Sequence, residues 1–451
     1  MYYPYKSIDP LENKIKYEYS QFIGEELITQ WQDYRKKFTQ QSTVKIIENI
    51  TYKVEDFQYK KDKKIKTKKL IRFLKNNYKS NFEINSETWY WLNWIIKRFE
   101  LKKRIYTHYD YSSKKVIPEG EFKNLKLYID FSELLVEVLN NHEHLQSLNA
   151  LLKCLDIILI YFNKFNQNEK KQINNLIINE KKFIYKLKDN YYKILKNKEN
   201  KVHKNAIEVS KEKNLPKVLL IASDTLRSNT YIQYLIKYKF KLGNTLLISS
   251  DHKKLGQKNN IYPPTSKEIN NLFNPDLRIY IKDLICKVSS NFKEINTGTI
   301  NSNLVQEYIK KTNPNLIIYS GFGGEIISQN ILNLDIPILH LHSGLLPEFR
   351  GSTTIYYSLL KKGICGVSGI LLSSDIDTGN IIKIKSYEPP NCKCNLDYEY
   401  DSIIRSDLLI EILEEYYFNN YNLISEKQQE KGETYFVIHP LLKHIAMIPL
   451  Q

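Results

Sequence analysis

The strongest constraint on this chain is an alternation, starting near Lys217, of short apolar runs with segments of helical character. Lys217-Val-Leu-Leu-Ile-Ala-Ser223 has no polar face, the pattern of a strand buried on both sides. A helix over Ser228–Lys239 follows, then strands over Asn244–Ser250 and Phe292–Ile295. Leu304–Lys311 reads as a helix and Pro314–Ser320 as a strand. Ile336–His342 and Gly366–Ser373 extend the series, with a helix over Ser352–Lys361 between them, N-capped by Ser352 or Thr353. A last strand begins at Ile381. Such alternation predicts an α/β fold with a parallel, doubly wound sheet. Ligands of such sheets gather beyond the carboxyl ends of the strands, so the loops there carry the chemistry.

Upstream the pattern is helical. Phe131, Leu134, Leu135, Val138, Leu139, His142, Leu145, Leu148, Leu152, Leu155 and Ile158 recur at steps of three and four, predicting one amphipathic helix from about Leu125 to Phe165. A second helix, from about Lys170 to Leu195, carries Ile173, Ile177, Ile178, Phe183, Ile184 and Leu187, and the two form a hairpin across Asn163–Asn168. Trp89, Trp91 and Trp94 with Ile95, Ile96 and Phe99 make a further helix-like cluster. The expected organisation is a mostly helical domain over 1–200, a charged linker over 201–215, an α/β domain over 216–390 and an extension over 391–451. The extension reads as a helix, Ser402–Tyr417, and a strand, Gly432–Pro440.

Bulk properties narrow the function classes. A chain of 451 residues is long enough for two or three cores. The formal charge of +17 comes from lysines scattered throughout rather than from one basic stripe, which argues against nucleic acid as a partner. Five cysteines in unlike contexts fit a reducing compartment, and Cys392-x-Cys394 lacks the spacing of a zinc knuckle. No signal peptide or membrane-length apolar run is evident, so a cytoplasmic protein is expected.

The chemistry concentrates late in the chain. Ser320-Gly-Phe-Gly-Gly324 follows a strand, and its glycines let backbone approach a ligand closely. His340 and His342, two apart on the next strand, point to one face. Ser343-Gly-Leu-Leu-Pro347 and Glu348-Phe-Arg-Gly351 follow, then Ser374-Asp-Ile-Asp-Thr-Gly379 after another strand. His-x-Ser-Gly-Leu-Leu-Pro-x-x-Arg-Gly, read loosely from His340 or His342, with Asp-Thr-Gly about 35 residues on, resembles the formyltransferase family, which includes methionyl-tRNA, glycinamide ribonucleotide and sugar N-formyltransferases. The resemblance covers about 216–390 and implies a Rossmann-like catalytic domain with 10-formyltetrahydrofolate as donor. It places His342 at the catalytic histidine and Asp377 at the catalytic aspartate. Phe322, Gly323, Gly324, Asp375 and Ile376 fall in the segments assigned to the donor. His340 departs from the family, which carries asparagine there to donate a hydrogen bond to the formyl oxygen. Gln428 or Gln429 with Gly432 and Tyr435 is loosely similar to the tail of sugar N-formyltransferases.

These residue types suit acyl transfer to an amine. An oxyanion develops, the leaving nitrogen needs a proton, and the attacking amine must lose one. His340, His342 and Asp377 supply a donor, an acid and a base, with no metal. The expected reaction moves a formyl group to an amine of a small metabolite, a nucleotide-linked amino sugar foremost, in an enzyme able to form homo-oligomers and without a membrane partner. Three other readings stand beside it: transfer to methionyl-tRNA, a formyl-folate binding module without catalysis, and a zinc hydrolase using His340, His342 and Asp377 with His439 as a further ligand. A carboxylate before Thr-Gly also serves as an ordinary turn residue.

Overall fold

The computed structural model describes residues 125–160, 162–197, 211–252, 256, 264, 266–392, 394–428 and 432–447, together with 71, 72, 74, 75, 92, 95 and 96. Trp89, Trp91, Trp94, Phe99 and most of the expected linker lie outside the described residues, while Leu92, Ile95 and Ile96 are helical and buried. Contacts divide the chain into two compact units, the segment up to Lys196 with Phe436–Pro449, and Asn197–Tyr435.

The first unit contains α1 (Lys126–Asn141), α2 (Leu145–Ile160) and α3 (Gln167–Lys196), which pack pairwise. The single helix expected over Leu125–Phe165 is therefore two. His142 takes an extended conformation, φ −139°, and ends α1. His144 then caps α2: its Nδ1 accepts the Ser147 amide at 3.2 Å, one of the donors that a helix start leaves without a partner. The apolar stripe runs through the break because Phe131, Leu134, Leu135, Leu148, Leu152 and Leu155 face one core.

The second unit is built on a seven-stranded sheet. Its elements are β1 (Lys213–Ser223), α4 (Leu226–Lys237), β2 (Phe240–Ser249), the small hairpin β3 (Glu268–Ile269) and β4 (Leu272–Phe273), α5 (Ile281–Ile285), β5 (Phe292–Asn296), α6 (Asn303–Thr312), β6 (Leu316–Ser320) and α7 (Gln329–Leu332). They continue with β7 (Ile338–His342), β8 (Phe349–Gly351), α8 (Thr354–Lys362), β9 (Cys365–Leu371), β10 (Ile381–Tyr387), a π-turn at Leu396–Tyr400, α9 (Asp401–Phe418) and β11 (Glu433–Tyr435). The sheet order is β10-β9-β7-β6-β1-β2-β5. β1, β2, β5, β6 and β7 are parallel, so the doubly wound reading holds for them. β9 runs antiparallel to β7, and β10 antiparallel to β9. The parallel, doubly wound sheet expected from the sequence is thus present, with β9 and β10 added by antiparallel pairing at one edge. Strand order reverses between β1 and β6, the crevice where such sheets bind ligands.

Alternation along the strands feeds two cores. Leu219, Ile221, Leu246, Ile248, Ile317 and Ile338 join Val305 and Ile309 of α6 in one cluster. α9 packs with α4 and lies against β7, β9 and β10. Other expectations change in detail. β1 begins at Lys213, inside the expected linker, and the strand expected over Gly432–Pro440 shrinks to Glu433–Tyr435. Thr353 sits at the N-cap of α8 with φ 55° but makes no side-chain cap, so the capping expected there is absent.

The remaining helix, α10 (Pro440–Met447), belongs to the helical unit. Residues 391–451, read from the sequence as one extension, are accordingly shared between the units. Lys153 Nζ donates to the Val437 carbonyl at 2.6 Å, Tyr191 Oη to the Ala446 carbonyl at 2.9 Å, and His439 Nε2 meets Asp156 Oδ2 at 2.7 Å. His439 Nδ1 accepts the Leu441 amide at 3.1 Å, so Nε2 carries the proton that Asp156 receives.

Candidate active site

β7 delivers both histidines. His342 ends the strand, opposite Ser368 of β9, and is buried. Its Nε2 lies 2.7 Å from the Phe349 carbonyl oxygen, which fixes the ring and places a proton on that nitrogen. Gly344 makes this approach possible. A Cβ there would stand 2.5 Å from the Phe349 oxygen and 2.8 Å from His342 Nε2. Ser368 pins the loop beyond, its Oγ donating to the Gly344 carbonyl at 2.6 Å and accepting the Leu346 amide at 3.0 Å.

The other ring nitrogen, Nδ1, lies 3.4 Å from Asp377 Oδ2. Asp377 sits in the loop joining β9 to β10. Leu371 pairs with Leu339, so the loop must fold back along β7 to bring Asp377 to His342. Asp377 adopts φ 55°, and its Oδ2 accepts the Gly351 amide at 2.8 Å. The two residues singled out by spacing are therefore adjacent, one fixed by a carbonyl and the other by an amide.

His340 lies on the same face, its ring 6.1 Å from that of Tyr319. Burial first, then Arg227 and Arg405, hold its imidazole well below the ordinary value of 6.5 and keep it neutral. A hydrogen bond to the Tyr319 backbone favours the protonated ring, so the carbonyl accepts there. Nδ1 is buried and finds no partner among the described residues, and the same holds for Ser343 Oγ. With its one proton directed at Tyr319, His340 presents a lone pair at Nδ1.

Sequence reasoning missed the cations around this histidine. Arg227, in the first turn of α4, donates to the Gly321 carbonyl at 2.5 Å across the β1/β6 crevice, and burial lowers its pKa. Arg405 of α9 donates to the Leu341 carbonyl and to Asp401 at 2.8 Å. Each comes from an element far from β7 in sequence, so no local spacing announces it. Arg350, inside the motif, donates to Gln428 Oε1 from Nη2 at 2.9 Å and from Nε at 3.2 Å.

The residues expected at the donor site divide. Phe322 is buried in the core cluster of β6 and β7, whereas Gly323 and Gly324 form an exposed turn, Gly324 with φ 78°. Asp375 is exposed, and Ile376 is 53% exposed beside Asp377, an unusual position for a large apolar side chain. Cys392 and Cys394 are free thiols. Among the described residues no group of three or more His, Cys, Asp and Glu is placed to hold a metal ion, and His439 is engaged with Asp156 in the helical unit.

Residues 217–388 match the formyl transferase family. The matching residues take in β1 from Lys217 onward, β2 through β10, and all three of His340, His342 and Asp377. Among curated proteins, the chain is 30% identical over 149 residues to methionyl-tRNA formyltransferase of Finegoldia magna, covering 32% of this chain and 46% of that one. It is 38% identical over 80 residues to the protein of the same name from a Sulfurovum species, covering 18% and 26%. The chain thus spans only about a quarter to a half of the length of these relatives. Among solved structures, a sugar N-formyltransferase from Shewanella aligns over 51% of this chain and 86% of its own, at 20% identity and a TM-score of 0.34. No described helix is long and apolar enough to cross a membrane.

Proposed function

We propose that this protein transfers a formyl group from 10-formyltetrahydrofolate to an amino group of a small biosynthetic metabolite, with a nucleotide-linked amino sugar as the leading acceptor. One observation carries the reading. Within the formyl transferase region, His342 Nδ1 and Asp377 Oδ2 face each other at 3.4 Å, His342 held through Nε2 by the Phe349 carbonyl and Asp377 through that same Oδ2 by the Gly351 amide.

The donor is assigned to the exposed segments that the family resemblance implies, Gly323 and Gly324 with their open backbone, and Asp375 and Ile376 just before Asp377. In the reaction, the acceptor nitrogen attacks the formyl carbon and the carbonyl oxygen takes up the electron pair. When the tetrahedral intermediate collapses, the bond from carbon to the folate nitrogen breaks and that nitrogen takes a proton. His342 Nδ1 is the ring nitrogen free of the Phe349 carbonyl, so it is the one able to carry that proton. Asp377 accepts the proton lost by the amine, through a water. His340 takes a different part from the asparagine of the family. Its Nδ1 is buried, so stabilisation of the oxyanion falls to the cations beside it, Arg227 and Arg405.

The test is a mass-spectrometric screen of amine acceptors with 10-formyltetrahydrofolate. Because the curated relatives are methionyl-tRNA formyltransferases, initiator methionyl-tRNA belongs in the panel as the second acceptor class. His342→Ala and Asp377→Asn are expected to lower kcat roughly 10²–10⁴-fold. Equal product from all three proteins would remove the assigned roles. Binding of formyl-folate without transfer to any amine would leave a non-catalytic module.

A further inference from the structure

We infer that Gln428, which lies beyond the residues matching the family, is a positioning residue that sets the geometry of Asp377. The inference rests on the proposed transfer for its kinetic part only. Two described pieces, Glu426–Gln428 and Gly432–Tyr435, cross the site from outside the sheet. Glu426 exchanges both backbone hydrogen bonds with Ile381 at 2.8 Å, at the start of β10. β11 pairs with β8, and the Tyr435 carbonyl accepts the Ser352 amide at 2.8 Å.

Gln428 joins these two attachments. Its Nε2 donates to the Asp377 carbonyl at 2.8 Å and to the Gly379 carbonyl at 2.7 Å. Its Oε1 accepts twice from Arg350. Both amide hydrogens and both lone pairs are thereby used, and the side chain is buried. A glutamine present only to fill space would not make four hydrogen bonds to three residues on two different segments.

Asp377 has a reason to need this hold. At φ 55° it occupies a region that a residue with a side chain populates at a cost, and such residues persist where their surroundings fix them. Gln428 binds the backbone of Asp377 itself and that of Gly379 two residues on. On its other side Gln428 fixes Arg350, whose neighbour Gly351 donates to Asp377 Oδ2. One side chain therefore ties together both walls of the carboxylate's seat.

The experiment compares Gln428→Leu, which removes all four bonds, with Gln428→Glu, which still accepts from Arg350 but has no hydrogens for the two carbonyls. Both are expected to fold, with unchanged circular dichroism, and to lower kcat about 10²-fold at unchanged KM for donor and acceptor. In the Asp377→Asn background, Gln428→Leu is expected to slow the reaction no further, because the two residues act as one unit. Wild-type kcat in either variant, or full additivity in the double variant, overturns the inference. Hydrogen–deuterium exchange over 349–353 is measured in parallel, since the Gly351 amide reports on the Asp377 carboxylate directly. Faster exchange there in both variants supports the positioning role even if no acceptor is ever formylated, and unchanged exchange overturns it.

Discussion

At the scale of single residues, His340 separates this site from what its motif implies. An asparagine side chain both donates and accepts whatever the pH, whereas a neutral imidazole offers one of each. Here the donor is directed at Tyr319, and the acceptor, Nδ1, is buried without a partner among the described residues. Its depressed pKa also has a consequence for stability. In the unfolded chain the ring takes up a proton below about 6.5, while in the folded chain it stays neutral to lower pH. The unfolded state then binds more protons, so stability falls as the pH drops below that value, by at most about 1.4 kcal/mol per pH unit. His340→Asn is expected to flatten the decline of the melting temperature between pH 7 and pH 5. An identical decline in both proteins would count against a buried neutral ring. His342 and Asp377 were legible because the motif and the Asp-Thr-Gly turn fix their spacing. Arg227 and Arg405 were not, since their proximity to β7 is created by folding alone.

At the scale of elements, the seat of Asp377 depends on β8 and β11, two strands of three residues each. Gly351 ends β8 with φ 100°, and a Cβ there would stand 2.2 Å from the Tyr435 carbonyl oxygen. Gly351→Ala is therefore expected to destabilise the α/β unit by more than about 1 kcal/mol, read as a lower urea midpoint, and to reduce transfer. Full activity at an unchanged midpoint would show that β8 and β11 separate without consequence. Most of the elements of this unit could be read from apolar runs and their spacing. The direction of β9 was not legible in its own residues, because a run buried on both faces looks the same parallel or antiparallel, and β10 at the sheet edge takes its direction from β9. The connection Leu372–Asn380, rich in Ser, Asp and Gly, held the signal, since so short a link between adjacent strands forms a hairpin. The break between α1 and α2 escaped because the apolar period continues across it.

At the scale of the molecule, the helical unit is completed by the far end of the chain. Asp156 and His439 face each other with almost no exposure, so removing the imidazole takes a buried hydrogen bond from Asp156. His439→Ala is expected to cost about 1–3 kcal/mol and to speed hydrogen exchange over 145–160. Retained protection there would show that the tail is dispensable to those helices. Nothing in the local sequence predicts this pairing: the partners are 283 positions apart, and the segment after Tyr435 reads as the end of a strand. What the helical unit does for an acceptor or a partner is equally absent from its composition.

The return of α10 to the helices also sets an order of events during synthesis. The ribosome finishes α3 long before α10, and all of Asn197–Tyr435 is made in between. At about 5–20 residues per second that interval is roughly 10–50 s. For that time the nascent helices lack Lys153's and Asp156's late partners, while the α/β unit is synthesised in one continuous stretch. The earlier-made half of the chain is thus the later one to reach its final state.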